Sequence, residues 1–198
     1  MIESIQKKIE DIYRLPIFPK VHQYLLSPAQ FQLYSMRLDQ PQVIYMDDEG
    51  DPSIGIYLGK KVFKTITRNN RVFSFQDFCV VAEEVSHFIY LLWSKCNGKK
   101  INLLDLEIQA EIDKFLLAGE FFHNDKLMIE KMFTHFSMRK GLSKEEVERY
   151  LTANRLGKKL AMAWKKKKIS HPQRANWLRF FYRQNPQARI SMIERGLQ

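Results

Sequence analysis

The sequence predicts an α+β fold that is mainly helical, with a small antiparallel hairpin or sheet packed on helices. Three observations predict it. Apolar residues recur at helical spacing over several long stretches. One short region instead reads as strand, polar turn, strand. Capping signatures, Ser74 with Asp77 and Ser143 with Glu146, open two of the longest helical stretches. With 198 residues, 45% of them hydrophobic, the chain has apolar material for one substantial core or a core plus an appendage.

The elements follow in order. Ile2, Ile5, Ile9 and Ile12 predict an amphipathic helix over 2–14, ending before Pro16. Residues 15–42 are broken up by Pro16, Pro19, Pro28 and Pro41, with a short helix expected over 29–37. Strands are expected at 43–46 and 54–58 around the acidic turn 47–52, and a third strand at 61–67. The turn lacks the length and the distal Glu of an EF-hand loop, so it reads as an ordinary hairpin turn. Asn69 and Asn70 close the sheet region. Ser74 starts a long helix that Asn97-Gly98 stops. Asn102 with Asp105 opens a second, running to about Gly119, and a third covers 125–136. Ser143 starts a helix reaching Lys166, and shorter helical segments flank Pro186.

The basic charge is unevenly placed. Residues 139–198 carry 16 Lys and Arg against 4 Asp and Glu, a net of +12; residues 1–138 carry a net of −2. The chain thus divides into an α+β body, 1–138, and a basic helical C-terminal region, 139–198. Such asymmetry implies an acidic partner for that region, nucleic acid or protein. Lys165, Lys166, Lys167, Lys168, Arg174 and Arg179 are the expected anion-binding residues. Trp177, Leu178, Phe180 and Phe181 are spaced as a stripe that docks on the body, which leaves few aromatics for stacking on bases.

No apolar run reaches the ~18–20 residues that span a bilayer, and the N-terminus lacks a signal-peptide core. A soluble, cytoplasmic protein is expected. Cys79 and Cys96 sit 17 positions apart, ~25 Å along one helix, so they cannot bridge. They read as buried free thiols.

Candidate site residues lie within the otherwise apolar helix that Ser74 opens. Glu83 and His87 are four apart, and Glu84 lies on the same arc. Charges on an apolar helix require partners, a metal or a groove. Gln76, Glu83, His87, Tyr90 and Ser94 also form a narrow stripe, which fits a solvated helix face equally well. The following helix presents Glu107 and Glu111, again four apart, with Lys114 near enough to relieve their repulsion.

Glu83-Glu84-Val-Ser-His87 resembles the zincin motif His-Glu-x-x-His with its first His replaced by Glu. The 20 positions from His87 to Glu107 and the Ala-containing, Glu-rich stretch 106–115 resemble the gluzincin metallopeptidases. That stretch resembles the corresponding helix of the small bacterial gluzincins that cleave phage repressors and stress regulators. The resemblance covers residues 42–122. It implies a small sheet packed on zincin-like motif helices. It further implies a metal held by Glu83, His87 and Glu107, and Glu84 as general base. Glu111 and Tyr90 would support the metal residues. The function implied is a metal-dependent, peptidase-like hydrolase or its inactive descendant. Glu83 in the first ligand position adds negative charge, so Mn or Fe competes with Zn there. Glu120-Phe-Phe-His123 gives a second Glu-x-x-His element, as in ferritin-like di-iron bundles, but the hairpin fits that fold poorly. The other reading, of a different class, is a basic nucleic-acid or protein interaction module whose Glu/His cluster is structural.

Overall fold

The computed structural model describes residues 1–34, 37–48, 51–67, 73–122, 125–134, 141–167 and 171–196. The side chains of residues 47, 48, 51, 52, 125–128, 167, 171 and 172 are outside that description. The order is α1 (Ile2–Tyr13), a 3-10 turn (Val21–Tyr24), α2 (Pro28–Phe31), β1 (Gln42–Asp48), β2 (Asp51–Tyr57) and α3 (Gly59–Thr67). Then come α4 (Phe75–Cys96), α5 (Leu103–Phe122), α6 (Asp125–Phe133), α7 (Lys144–Lys167), α8 (His171–Arg183) and α9 (Pro186–Arg195). The fold is mainly helical α+β, with one two-stranded antiparallel sheet among the described residues.

α1 buries the Ile2, Ile5, Ile9 stripe and Tyr13, and stops where Arg14 turns left-handed at φ 51°. In the hairpin, Gln42 pairs with Tyr57 and Asp48 with Asp51. The strands therefore run on into the acidic segment expected as turn. Leu26 N–H donates to Ile56 O (2.8 Å), and its side chain fills the space that a Cβ on Gly55 would need.

The expected third strand is a helix. Val62 and Thr65 are buried and Ile66 half-buried, so the apolar face of 59–67 repeats every three to four residues. The alternation of β-branched residues hid that period. Thr65 and Thr67 hydroxyls donate to the carbonyls of Lys61 and Phe63 (3.1 and 2.9 Å), which satisfies these side chains within the helix. Gly59, at φ +77°, provides the turn out of β2 that a residue with a Cβ rarely adopts. The short helix after Pro28 ends at Phe31, earlier than expected, and α6 ends at Phe133. Asn69 and Asn70, and the end of the helix expected over 125–136, lie outside the described residues.

Both long capping boxes form. Ser74 Oγ accepts from Asp77 N–H (3.1 Å) while Asp77 accepts from Ser74 N–H (3.2 Å). Ser143 and Glu146 repeat the exchange at 3.1 and 2.7 Å. Each such cap is worth ~1 kcal/mol.

α4 packs along α5, and α5 along α7; α1 covers α4. One continuous core joins them, including Phe78, Val85 and Phe88 of α4, Ile108, Ile112 and Phe115 of α5, and Leu156, Leu160 and Trp164 of α7. Leu178, Phe181 and Ile193 of the basic region belong to the same core. Each fully buried side chain of this size stabilises by ~1.5–3 kcal/mol. α4 and α5 are thus covered on several sides, which forces any charge on them to find a partner inside. Cys96 ends α4 in an exposed position and Cys79 is half-buried, so the expected pair of buried thiols is corrected; both are free.

Candidate functional site

The stripe on α4 is covered, not solvated. Tyr90 and Ser94 are buried, the Glu83 and His87 side chains are 14% and 12% exposed, and only Gln76 faces outward. α5 lies over it, and the charges of the two helices meet as two ionic clusters.

In the first, Lys114 of α5 donates to Glu83 Oε2 of α4 (2.7 Å) and to Glu111 Oε1 (2.9 Å). Burial alone would lower the Lys114 pKa; the charges of Glu111 and Glu83 outweigh it and hold the amine well above its ordinary value. Burial, and after it Glu83 and Glu107, push Glu111 up, against Lys114 pulling it down. Close packing fixes the cluster: Gly157 of α7 approaches so near that a Cβ there would lie 3.0 Å from Glu111 Cβ.

In the second, His87 sits between two carboxylates. Its Nδ1 is 3.6 Å from Glu84 Oε2, and its Nε2 is 3.5 Å from Glu107 Oε2. Arg149 of α7 approaches Glu107 Oε1 at 3.7 Å. Burial opposes charging of the ring, but Glu107 and then Glu84 raise the His87 pKa to about 10. The two carboxylates thus favour the protonated ring.

The resemblance assigned Glu83, His87 and Glu107 to a metal. Of these, His87 and Glu107 face each other, while Glu83 holds the ammonium of Lys114. Glu84 lies at Nδ1 of His87, the side of the ring away from Glu107. Glu111 shares Lys114 with Glu83, and the Tyr90 hydroxyl is directed to Asp105 and Arg189. Among the described residues no three His, Cys, Asp or Glu side chains gather as a metal-ligand group.

A third polar cluster escaped the sequence reading. Arg189 of α9 is fully buried and reaches Asp105 Oδ1 (2.7 Å), Tyr90 Oη (2.7 Å) and Gln109 Oε1. Gln109 continues to Tyr13 and Asp113, and Asp113 also accepts from Ser86 (2.6 Å) and Tyr13 (2.5 Å). Burial raises the Asp113 carboxyl to about 6, although three donors oppose the shift. The sequence signal for this cluster was Asp105, Gln109 and Asp113, four apart on an apolar helix.

In the basic region, Lys165 and Lys166 are exposed at the end of α7. The Lys167 side chain and Lys168 lie outside the described residues, as do His123 and His135. Arg174 stacks over Trp164 (5.5 Å), and Arg179 Nε donates to Ile12 O (3.1 Å). Leu178 and Phe181 are buried as expected, but Phe180 is 60% exposed. Arg155 and Lys159 are both engaged by Glu194. Glu120, of the second Glu-x-x-His element, pairs with Lys8 at 2.8 Å. No helix among the described residues is long and apolar enough to cross a membrane.

Comparison of the chain with protein-family models, with curated proteins and with solved structures finds no match. Chemically, the paired clusters can lock α4, α5, α7 and α9 in register. The cations of the C-terminal region, not all neutralised internally, can meet an anion.

Proposed function

We propose that this chain is a non-catalytic interaction protein, with the gluzincin-like layout of an inactive descendant. Its Glu/His/Lys/Arg clusters are structural, and its basic helical region binds an acidic protein segment. One observation carries the reading: the Lys114 ammonium lies between Glu83 and Glu111. An amine bonded to two carboxylates supplies the positive charge that the site would otherwise take from a metal. It leaves Glu83 engaged where the motif requires a ligand. Breaking such a buried pair is costly, which favours permanence over exchange.

The choice of partner rests on the distribution of cations and aromatics. Among the described residues no carboxylate pairs with Lys165 or Lys166. Arg155 and Lys159 are already paired with Glu194, so the run of available cations along α7 is short. A nucleic-acid backbone is held by many phosphate contacts, and single strands by exposed aromatics. Trp164 and Phe181 are buried here, with Trp177 edge-on to Trp164 and stacked on Phe181, which leaves Phe180 as the exposed ring of this group. A short acidic protein segment matches this surface better.

The test uses the full chain. Elemental analysis is expected to give less than stoichiometric Zn, Mn or Fe; stoichiometric metal that His87→Ala loses would overturn the structural reading. Poly-glutamate is expected to bind and to weaken when Lys165 and Lys166 become Gln. Duplex DNA binding with a steep salt slope, without poly-glutamate binding, would replace the protein partner by nucleic acid.

A further inference from the structure

Arg174 and Arg179 do more than add to the basic surface. Both line an open-mouthed cavity of about 320 Å³ between α1, α5 and α8. That volume is at the small end of ligand cavities, which run ~300–1,000 Å³. Its walls are apolar, formed by Ile12, Phe115, Leu116 and Leu178. Phe115 and Leu178 are core residues, so the walls are fixed by packing rather than by loops. α8 carries both arginines, Arg174 three residues before Trp177 and Arg179 two after it, and sets them on the edge of this pocket.

The charges at the mouth are unbalanced in a specific way. Glu120 is neutralised by Lys8 at 2.8 Å, and Asp11 by Lys7 at 3.3 Å. Among the described residues neither Arg174 nor Arg179 has a carboxylate partner. Arg174 Nε is buried with no hydrogen-bond partner. Its guanidinium lies over the Trp164 ring, 5.5 Å from the centroid, in a cation–π contact. Arg179 anchors its Nε on Ile12 O and touches Asn176 Oδ1 through Nη1 (3.4 Å). Its pKa is lowered by burial and by the like charges of Arg14 and Arg183, as in a cationic corner without a counter-ion.

We propose that this cavity binds a small apolar monocarboxylate, its hydrocarbon body against Phe115, Leu116 and Leu178 and its carboxylate on Arg174 and Arg179. A planar carboxylate matches the guanidinium fork, and charge-assisted pairs of this kind are the strong ones. Inorganic phosphate suits the pocket less well, because it has no hydrocarbon body to lie against Phe115, Leu116 and Leu178 and uses the arginines alone. A neutral alcohol of the same length fills the walls but leaves both arginines without an anion. The inference goes beyond the interaction reading: it gives Arg174 and Arg179 a ligand of their own, separate from Lys165 and Lys166.

The test is isothermal titration calorimetry of the full chain with octanoate, 1-octanol and inorganic phosphate. Octanoate is expected to bind saturably and to raise the melting temperature, with 1-octanol and phosphate at least about tenfold weaker. Arg174→Gln is expected to weaken octanoate about tenfold, and Leu116→Trp to abolish binding by filling the cavity. Circular dichroism checks that both variants fold, and the ligand comparison holds whatever they do. The proposal is overturned by absence of saturable octanoate binding, by equal affinity for 1-octanol, or by unchanged octanoate affinity in folded Leu116→Trp.

Discussion

Lys114 of α5 and Glu83 of α4 form an ion pair of 2.7 Å across the helix interface, with the Lys114 side chain 10% and the Glu83 side chain 14% exposed. Glu111 shares the same ammonium at 2.9 Å. The amine is what lets two carboxylates from different helices lie together in a covered position.

Replacing Lys114 by Met removes the cation and leaves Glu83 and Glu111 facing each other. A buried pair broken on one side costs ~3–5 kcal/mol. Urea denaturation is expected to show a loss of that order. The triple change Lys114→Met, Glu83→Gln, Glu111→Gln is expected to recover part of it, because no charge is then left unpaired. A single variant as stable as wild type would remove the cluster from the interface energetics.

His87 makes stability depend on pH. Its folded pKa is raised from the ordinary 6.5 to about 10. A raised imidazole stabilises the fold fully below the unfolded pKa, and that contribution is lost as pH rises through the folded value. The melting temperature is therefore expected to fall from about pH 6.5 to pH 10. In His87→Gln this fall is expected to shrink, while stability near neutral pH drops by ~2 kcal/mol or more. A wild-type melting profile parallel to that of the variant across this window would contradict the imidazolium.

Arg189 is expected to be the most costly single truncation in the C-terminal region. Its guanidinium is fully buried on Asp105, Tyr90 and Gln109. Arg189→Met strands the Asp105 charge, with an expected loss of ~3–5 kcal/mol. Hydrogen exchange is expected to show α9 opening first, since this residue ties it to α4 and α5. Equal protection of α9 in variant and wild type would rule out that tie.

Gly157→Ala tests the closeness of α7 to α5. A Cβ at this position would lie 2.9 Å from Phe133 Cε1 and 3.0 Å from Glu111 Cβ. Overpacking costs ~1–3 kcal/mol, against ~1 kcal/mol gained in helix propensity. A net loss of ~1 kcal/mol in chemical denaturation is expected. A gain in stability would show that Phe133 moves aside freely.

The local features of this chain were written in its sequence. Ile2, Ile5 and Ile9 declared one face of α1, and Ser74–Asp77 and Ser143–Glu146 marked helix starts, because periodicity and caps depend on residues a few positions apart. The presence of charges on a covered helix was legible for the same reason. Segment 61–67, expected as a strand, lies in a helix: its β-branched residues satisfy two periods at once, and only burial of Val62 and Thr65 selects the helix. Which charge meets which was decided by tertiary structure. The way α5 lies on α4 brings Lys114 to Glu83 and places His87 between Glu84 and Glu107. Arg189 reaches Gln109 from 80 positions away, a pairing to which no local pattern points. A buried charge announces that it needs a partner, but the partner is chosen by whichever helix covers it.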